Sequence, residues 1–332
     1  MEYRRLGSTG MRVSAISLGA WLTYGSDNVE FRNAENCVRT AIDNGVNFID
    51  VADIYAIGQA ESAVGKFIAP LDRTHLVLST KAFWPMSEDP NDKGLSRKHL
   101  MESVEKSLKR LGTDYIDIFF CHRYDKDTPT EETVRAIVDL IRQGKILYWG
   151  TSMWEANQIE EAVRIAKQVN AYAPVVEQPL YNMLDRQVVE GVLEKTLADK
   201  GIGLVVWSPL AQGLLTGKYD KSIPKTSRAA KNKRMSDNFV EHRIESARKI
   251  SAIADDLGVT SAALALAWAL AHPSVDSVIT GATKPAHVIA NLKALDIEIT
   301  AELESRIEEA LDNRPADSIR HIAQPDQDLP AL

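Results

Sequence analysis

The most regular feature of the sequence is an alternation between short apolar runs and longer stretches whose apolar residues recur every three or four positions. Short apolar runs predict buried strands, and the longer period predicts amphipathic helices. The predicted strands are 15–18, 46–51, 75–80, 115–121, 145–150, 173–178, 202–207 and 275–280. The predicted helices are 34–44, 60–68, 97–111, 130–142, 155–169, 186–199, 241–257, 261–271, 285–294 and 301–311. Strands that alternate with helices indicate a parallel sheet.

Capping and turn residues support several of these boundaries. Ser96 is a good N-cap for the helix that begins at 97, and Gly112 is a helix-ending signal. Gly45 ends the first predicted helix in the same way. The turn Gly7-Ser8-Thr9-Gly10 separates residues 3–6 from 11–14, which predicts a small hairpin ahead of the main fold.

The number of strand–helix units decides between two architectures. About eight units in 332 residues match a (β/α)8 barrel of roughly 250 residues plus additions. We predict an α/β fold: a (β/α)8 TIM barrel with an N-terminal hairpin, an insert after strand seven and a C-terminal helix and tail, all in one domain over 1–332. A doubly wound open sheet is the main alternative. It is disfavoured because no strand is followed by G-x-G-x-x-G and a helix.

Composition and charge exclude several classes of binding partner. The formal net charge of −7 argues against a nucleic-acid or anionic-membrane surface. The two cysteines, Cys37 and Cys121, fit neither a disulfide framework nor a metal site. The N-terminal residues lack an apolar signal segment, and the longest apolar helical run, 262–271, is too short to span a bilayer. We therefore expect a cytoplasmic protein without a metal.

Three successive apolar runs end in ionisable residues. The run 46–51 contains Asp50 near its end, the next is followed by Lys81, and the third is followed by His122. Tyr55 lies in the loop after the first of them. Because a (β/α)8 barrel forms its site at the carboxyl ends of the strands, neighbouring strands would bring these four side chains together.

A lysine held by a buried carboxylate near a phenol would stabilise the phenolate and lower the pKa of Tyr55 toward neutrality. Such a tyrosine can act as a general acid or base, while His122 orients a carbonyl oxygen. Taken singly, Asp50 and Lys81 fit a structural ion pair, Tyr55 a packed loop aromatic and His122 a core histidine. Their occurrence at consecutive strand ends favours an acid–base site for carbonyl reduction.

The sequence resembles the aldo-keto reductase family, almost from end to end. The resemblance rests on Phe48-Ile49-Asp50-Val51-Ala52 with Tyr55, Ser79-Thr80-Lys81, Cys121-His122-Arg123, Gly150-Thr151-Ser152, Gln178 with Tyr181-Asn182, and Trp207-Ser208-Pro209-Leu210. It implies that Asp50, Tyr55, Lys81 and His122 form the catalytic tetrad. Residues 207–218 and 223–228 resemble the branch of voltage-gated potassium-channel β subunits and their bacterial reductase relatives. The channel subunits lack the tetrad histidine, which this chain has.

The same resemblance implies a nicotinamide cofactor and assigns residues to it. Ser152 and Gln178 would hold the carboxamide, and Trp207 would stack on the nicotinamide ring. The loop that contains Ser208, Pro209, Leu210, Gly213 and Leu214 would bind the pyrophosphate, and Lys218 and Arg228 belong to an insert that covers the cofactor. Trp21 and Asp50 complete this end of the cofactor site, and Trp21, Tyr55 and His122 would contact the substrate. Lys231, Lys233 and Arg234 fit either this covering role or a solvated loop.

The adenine end departs from the family pattern. The resemblance places Gly281, Thr283, His287 and Asn291 there, but Gly281 and Ala282 stand where many members have Lys and Ser, and His287 stands for Arg. A glutamate is replaced by Ala290, and Met153 replaces a polar residue beside Ser152. The implied cofactor is NADP, with NAD as an open alternative.

Three functions remain to be compared. The first is NAD(P)H-dependent reduction of a small-molecule aldehyde or ketone, with a monomer and a homo-oligomer both left open. The second is a nicotinamide-binding regulatory or channel-associated subunit, which the presence of His122 opposes. The third is a barrel isomerase or aldolase with a Schiff base on Lys81, which Asp50 opposes by keeping the amine protonated. The aromatic residues Trp21, Tyr24, Trp84, Tyr124 and Trp154 follow strand ends and are candidates for a pocket wall or for surface packing.

Overall fold

The computed structural model describes residues 1–25, 29–224, 227–231, 239–316 and 318, without the side chains of Arg228 and Lys231. Contacts between Cα atoms divide the chain into two compact units. The first contains Met1–Pro179, Lys195–Trp207 and Ser274–Ala290. The second contains Leu180–Glu194, Ser208–Pro273 and Asn291–Leu332. The single domain over 1–332 stays a prediction.

The first unit is built on a closed barrel of eight parallel strands. They are β3 (Ile16–Gly19), β4 (Phe48–Asp50), β5 (Val77–Ala82), β6 (Ile116–Cys121), β7 (Ile146–Thr151), β8 (Val176–Glu177), β9 (Gly203–Val206) and β10 (Val275–Thr280). Each strand pairs with the next, and β10 closes the barrel by pairing with β3, with Val278 opposite Ile16. This confirms the predicted (β/α)8 barrel.

The predicted hairpin is also confirmed. Strands β1 (Tyr3–Arg5) and β2 (Arg12–Ser14) pair antiparallel, with Tyr3 opposite Ser14. The Leu6 N–H donates to the Met11 carbonyl across the turn at 3.0 Å. Leu6 and Val13 are fully buried and pack in a core cluster with barrel residues that include Phe48, Ile118 and Val205.

Helices follow the strands of the barrel. They are α1 (Phe31–Asp43), α2 (Gln59–Ile68), α3 (Arg97–Leu111), α4 (Thr130–Arg142), α5 (Ala156–Gln168), α6 (Glu194–Lys200) and α10 (Pro285–Leu292). In α3 the Ser96 hydroxyl accepts from the His99 N–H at 3.2 Å, and Gly112 ends the helix with a φ of 66°. Both caps agree with the sequence prediction, and the helix has the predicted bounds.

The second unit is mainly helical. It contains α7 (Arg228–Lys231), α8 (Glu241–Asp256), α9 (Ser261–Leu270) and α11 (Ala301–Leu311). It also contains a 3-10 segment, Ala211–Thr216, in a stretch for which the sequence predicted a loop. Helix α9 carries apolar residues all round and is buried on nearly every side, as an all-apolar helix should be.

Three predicted boundaries are wrong for identifiable reasons. The strand predicted at 173–178 is reduced to Val176–Glu177, since Pro174 has no N–H to give to the sheet. The strand predicted at 75–80 starts only at Val77, because the Asp72 carboxylate accepts from the Thr74 N–H at 2.9 Å and folds Arg73–His75 into a 3-10 turn. The helix predicted at 186–199 is a π-helical turn, Val189–Leu193, followed by α6.

In the part of the chain that the structure describes, no single helix is long and apolar enough to cross a membrane. Helices α8 and α9 meet the length and composition criteria only as a pair, and the chain bends by 97° between them.

Candidate active site

Strand register brings three of the four predicted catalytic residues to adjacent positions in the first unit. Asp50 is the last residue of β4, Lys81 lies in β5 one residue before its end, and His122 directly follows β6. In the parallel register Asp50 is opposite Ser79, and Lys81 is opposite Phe120. The carboxyl ends of β4, β5 and β6 therefore deliver a carboxylate, an ammonium and an imidazole side by side.

Asp50 and Lys81 form a buried ion pair. Lys81 Nζ donates to Asp50 Oδ2 at 2.7 Å and to the Val51 carbonyl at 2.9 Å. The other carboxylate oxygen, Oδ1, accepts from Ser79 Oγ at 2.6 Å and from Gln178 Nε2 at 3.0 Å. Lys81 is 0% exposed and Asp50 is 3% exposed. A buried ion pair needs such additional hydrogen bonds to offset its desolvation, and here both partners have them.

Tyr55 lies in a tight loop between β4 and α2 that contains unusual backbone conformations. Ala56, Ile57 and Gly58 are left-handed in succession, with φ of 49°, 49° and 79°. Left-handed non-glycine residues cost free energy and persist only where neighbouring contacts hold them. A Cβ at Gly58 would lie 2.8 Å from Arg110 Cδ, so the Arg110 side chain, which donates to Glu61, would have to shift.

The ring of Tyr55 contacts two of the other predicted catalytic residues. Lys81 Nζ lies 5.0 Å from the ring centroid, and the His122 ring lies 5.9 Å away at 77° to it. Among the described residues, no group hydrogen-bonds the Tyr55 hydroxyl. The structure thus brings Asp50, Tyr55, Lys81 and His122 together and leaves the phenol O–H available to donate.

The electrostatics of this cluster differ in one respect from expectation. Burial, and next the charge of Asp50, raise the pKa of Tyr55 well above its usual value, although Lys81 was expected to lower it. Burial lowers the pKa of Lys81, and Asp50 opposes that shift. Burial also lowers the pKa of His122, and the charges of Lys81 and Arg123 add to the effect. Tyr55 is therefore a protonated acid, and His122 is a neutral imidazole at physiological pH.

Aromatic and cationic side chains surround His122. The Trp84 ring lies 6.3 Å from the imidazole in an edge-to-face arrangement, and the Arg123 guanidinium lies 5.7 Å from the Trp84 ring centroid. Arg123 Nη1 also donates to the His122 carbonyl and lies 3.5 Å from Ser152 Oγ. No described residue hydrogen-bonds His122 Nδ1.

The residues assigned to the nicotinamide lie at the next strand ends of the same unit. Ser152 and Gln178 are both buried, and Ser152 Oγ donates to the Gln178 carbonyl at 2.9 Å. Gln178 Nε2 is held by Asp50, and no described residue contacts Gln178 Oε1 as a donor. Trp207 is half-buried and meets Trp21, 44% exposed, edge to face at 6.0 Å. An amide acceptor and two partly exposed rings suit a planar aromatic amide.

The second unit contains the segment assigned to the pyrophosphate. Ser208 has a φ of 55°, and its hydroxyl accepts from the Gln212 N–H at 3.0 Å. Its carbonyl accepts from Asn182 Nδ2 at 3.0 Å. Left-handed Ala211, Gln212 and Gly213 then turn the chain sharply, while Pro209, Leu214 and Gly213 are buried and Leu210 is half-buried. Turns with successive left-handed residues are suited to phosphate binding by backbone N–H groups.

Of the basic residues in the insert, the structure describes the side chain of Lys218 but not those of Arg228, Lys231, Lys233 and Arg234. Lys218 is exposed, and its Nζ lies 4.7 Å from the Tyr219 ring centroid. The backbone of Arg228 begins α7, but its side chain lies outside the described part of the structure. Lys233 and Arg234 also lie outside it, and so does the side chain of Lys231. The covering role of this insert stays a prediction.

The residues assigned to the adenine end lie at and after the end of β10. In the first unit, Gly281 and Thr283 are exposed, and Thr283 Oγ1 lies 3.2 Å from His287 Nδ1. Asn291, in the second unit, is buried. Ala282 is also buried, so it presents no side chain to a ligand.

Two of the five aromatic residues considered for a pocket wall are buried by packing instead. Tyr24 is 1% exposed and packs edge to face against Phe67, and Trp154 is 2% exposed and packs edge to face against Tyr124. Trp21 and Trp84 are 44% and 38% exposed, so these two remain candidates for the pocket. Exposure, which a single sequence does not reveal, separates the two groups.

Several site residues were missed by sequence reasoning. Ser79 Oγ donates to the Asp50 carboxylate. Its spacing of two residues from Lys81 could have placed it in the site, because alternate residues of a strand share a face. Glu177, 0% exposed, accepts from Thr151 Oγ1 and from the Trp154 N–H and so shapes the loop around Ser152. Arg123 was considered only as part of the Cys121-His122-Arg123 motif and Asp53 was given no role, because no sequence signal distinguished either residue.

Within residues 1–25, 29–224, 227–231 and 239–316, no three His, Cys, Asp or Glu side chains are grouped so as to hold a metal ion. The absence of a metal requirement stays a prediction.

Comparison with known proteins identifies the family of the chain. The model of the aldo/keto reductase family matches residues 15–312. A probable voltage-gated potassium channel subunit beta from Arabidopsis thaliana and one from Oryza sativa subsp. japonica are each 45% identical over 323 residues, covering 95% of this chain and 98% of theirs. A putative subunit of the same kind from Schizosaccharomyces pombe is 42% identical over 331 residues, covering 95% of this chain and 94% of its own. The chain belongs to the aldo/keto reductase family.

Proposed function

We propose that this protein reduces aldehydes or ketones to alcohols with NAD(P)H, and that Tyr55 is the general acid. The observation that carries the proposal is the arrangement around Tyr55: a protonated phenol with a free O–H above the Asp50–Lys81 ion pair and beside His122. Membership of the aldo/keto reductase family supports the reaction class.

Each of the four residues has a separate task in this proposal. When bound, the nicotinamide supplies the hydride. Tyr55 donates its proton to the carbonyl oxygen as negative charge develops there. Neutral His122 orients that oxygen by a hydrogen bond, and burial keeps the imidazole from carrying a competing charge. Lys81, fixed by Asp50, places a positive charge near the Tyr55 ring and stabilises the phenolate that remains.

The residues at the strand ends fit a nicotinamide. Gln178 Oε1 is the acceptor that a carboxamide NH₂ needs, Ser152 lies beside it, and the half-buried Trp207 offers a ring face. We assign NADP as cofactor with NAD as the alternative, because Gly281 and His287 weaken the contacts expected for a 2′-phosphate. The substrate is a small carbonyl compound. Cytoplasmic localisation and homo-oligomer formation stay predictions.

The test is a turnover measurement on the purified protein. NADPH and NADH are each mixed with simple aliphatic and aromatic aldehydes, and loss of nicotinamide absorbance is followed. Tyr55→Phe should lower kcat by about 10²–10⁴-fold, the usual contribution of a general acid, and should keep cofactor binding. Turnover in Tyr55→Phe that equals that of the wild type would show that another group is the acid.

A second function deserves testing because of the names of the relatives. The Arabidopsis, rice and fission-yeast proteins are described as potassium channel β subunits, so a nicotinamide-binding, channel-associated role is the alternative. In that case the protein binds cofactor tightly, and wild type and Tyr55→Phe show the same negligible turnover with every aldehyde. A clear difference between the two proteins favours the enzyme.

A further inference from the structure

Two further carboxylates lie buried next to the predicted catalytic residues. Asp53, in the loop before Tyr55, and Glu61, in α2, are both 0% exposed. Glu61 accepts from Thr80 Oγ1 at 2.5 Å and from Arg110 Nε at 2.6 Å, so it has a cationic partner. Asp53 has no ion pair among the described residues, and its carboxylate is held only by neutral donors.

Asp53 holds the Tyr55 loop at several points. Its N–H donates to the Lys81 carbonyl at 3.2 Å, and its carbonyl accepts from the Gly58 N–H at 2.7 Å. Its Oδ1 accepts from the Ile54 N–H at 2.6 Å. Its Oδ2 accepts from Ser103 Oγ of α3 at 3.1 Å. These bonds join the loop to β5 and α3 and help to hold the three left-handed residues after Tyr55.

The charge on Asp53 is adjustable near neutral pH. Burial, and next the charge of Glu61 from α2, raise the pKa of Asp53 to about 7. The Ile54 N–H, Ser103 and the Arg110 guanidinium of α3 oppose that rise. From β5, burial lowers the pKa of the Lys81 amine, and the charge of Asp53 adds to that of Asp50 in opposing this fall. Burial and the charge of Asp50 raise the pKa of the Tyr55 phenol, and the charge of Asp53 adds to that rise.

We propose that Asp53 is a positioning residue for Tyr55: its buried carboxylate fixes the loop that carries the phenol, and it places next to that loop a charge that has no cationic partner in the described part of the chain. The inference rests on the proposed function of Tyr55 as general acid. It assigns Asp53 a role through Tyr55, without contact to substrate or cofactor.

We therefore expect the Asp53→Asn variant to reduce aldehydes faster than the wild type does. Asp53→Asn keeps the shape and the amide oxygen that accepts from the Ile54 N–H, but removes the charge. Because the Tyr55 pKa should then fall, proton donation should quicken by about threefold, since a rate follows only part of a change in acid strength. Alcohol oxidation should rise by the same factor, since the overall equilibrium does not depend on the enzyme.

The experiment compares kcat/KM for aldehyde reduction in Asp53→Asn and wild type from about pH 5 to about pH 9, the range that brackets ionisation of Asp53. The ratio should be near one at the acidic end, where Asp53 is protonated in the wild type, and should rise to about threefold at the basic end. The control is Asp117→Asn, another buried carboxylate, which accepts from Arg73 and the Leu78 N–H. Its ratio to wild type should not change with pH.

Ser103→Ala is a second variant that does not alter the carboxylate itself. Losing the hydroxyl should raise the Asp53 pKa further, so its activity should exceed that of the wild type only in a window just above neutral pH. A ratio for Asp53→Asn that is independent of pH, or a folded Asp53→Asn that is slower than wild type at every pH, overturns the proposal.

A spectroscopic readout separates this inference from the proposed function. Tyrosinate absorbance is titrated in each protein, and the titration of its Tyr55→Phe counterpart is subtracted to isolate Tyr55. Asp53→Asn should move the Tyr55 ionisation to lower pH, and an unchanged or higher position refutes the inference even if the enzyme turns over. Conversely, a shifted ionisation in a protein without turnover upholds the Asp53 assignment and contradicts the proposed reaction.

Discussion

Removal of Lys81 should destabilise the fold as well as stop the reaction. Lys81→Met keeps most of the aliphatic side chain and deletes the ammonium that lies 2.7 Å from Asp50 Oδ2. At that separation, two unit charges attract by about 6 kcal/mol at an effective dielectric constant of about 20. Desolvation offsets much of this attraction when the pair forms, but removal of one partner leaves a lone buried charge, which costs about 3–5 kcal/mol.

The double variant makes the prediction specific. Asp50→Asn leaves an amide oxygen for Ser79, and in the Lys81→Met, Asp50→Asn protein no unpaired charge remains. We therefore expect the free energy of unfolding of the double variant to exceed that of either single variant, so that its loss falls well short of the summed losses. All three proteins should lack carbonyl reductase activity.

Urea denaturation followed by circular dichroism measures these free energies, and equal m-values among the variants justify the comparison. Single-variant losses below about 1 kcal/mol that simply add in the double variant would show that the pair is not coupled. That outcome would refute the description of Asp50–Lys81 as a buried ion pair.

Four further predictions follow. Burial raises the pKa of Glu177 from 4.5 to about 7, so this group should lower the folding stability by about 3 kcal/mol as pH rises through that window. Glu177→Gln should reduce the slope by that amount in urea titrations at several pH values, while the buried carboxyl of Asp53, whose pKa is also about 7, keeps its own contribution. His122→Asn should lower kcat less than Tyr55→Phe does, because the acid remains, and wild-type kcat should show no imidazole titration near pH 6.5, since its pKa lies well below that value. Lys218→Ala and Arg228→Ala should each weaken cofactor binding by about 1.5–3 kcal/mol, measured by calorimetry, with little change in kcat. If Arg228→Ala weakens the binding of NADPH but not that of NADH, Arg228 contacts the 2′-phosphate. Chelators should leave turnover intact; loss that zinc restores would contradict a metal-free reaction.

The parts of the fold that local chemistry specifies were predictable from the sequence. Helix α3 has its predicted bounds because Ser96 and Gly112 cap it, and the hairpin follows from the Gly7–Gly10 turn. The length of the strand predicted at 173–178 was overestimated, because the prediction followed its apolar residues and ignored Pro174. The π-helical turn at Val189–Leu193 carries no distinctive residue pattern, so periodicity could not reveal it.

For the site, the sequence identified the predicted catalytic side chains but not their burial, their hydrogen-bond partners or their pKa shifts. Strand ends predicted that Asp50, Lys81 and His122 would meet, because parallel register is a property of the fold. The direction of the Tyr55 pKa depended on burial and on the distance to Asp50, which no linear pattern contains. Ser79 and Gln178 matter through hydrogen bonds to a single carboxylate, and those bonds need three-dimensional coordinates.

The position of the predicted acid–base residues along the chain has a consequence for how such a protein can diversify. All four come from one stretch of the first unit, Asp50 to His122, whereas Lys218 and Arg228 belong to an insert in the second. Substitution or exchange of the insert would leave every bond between Asp50, Ser79 and Lys81 untouched. A chimaera that receives a relative's 208–240 and 281–291 segments, which hold the cofactor residues predicted to meet the adenine end, should therefore keep its tyrosine-dependent proton transfer while acquiring the relative's choice between NADPH and NADH.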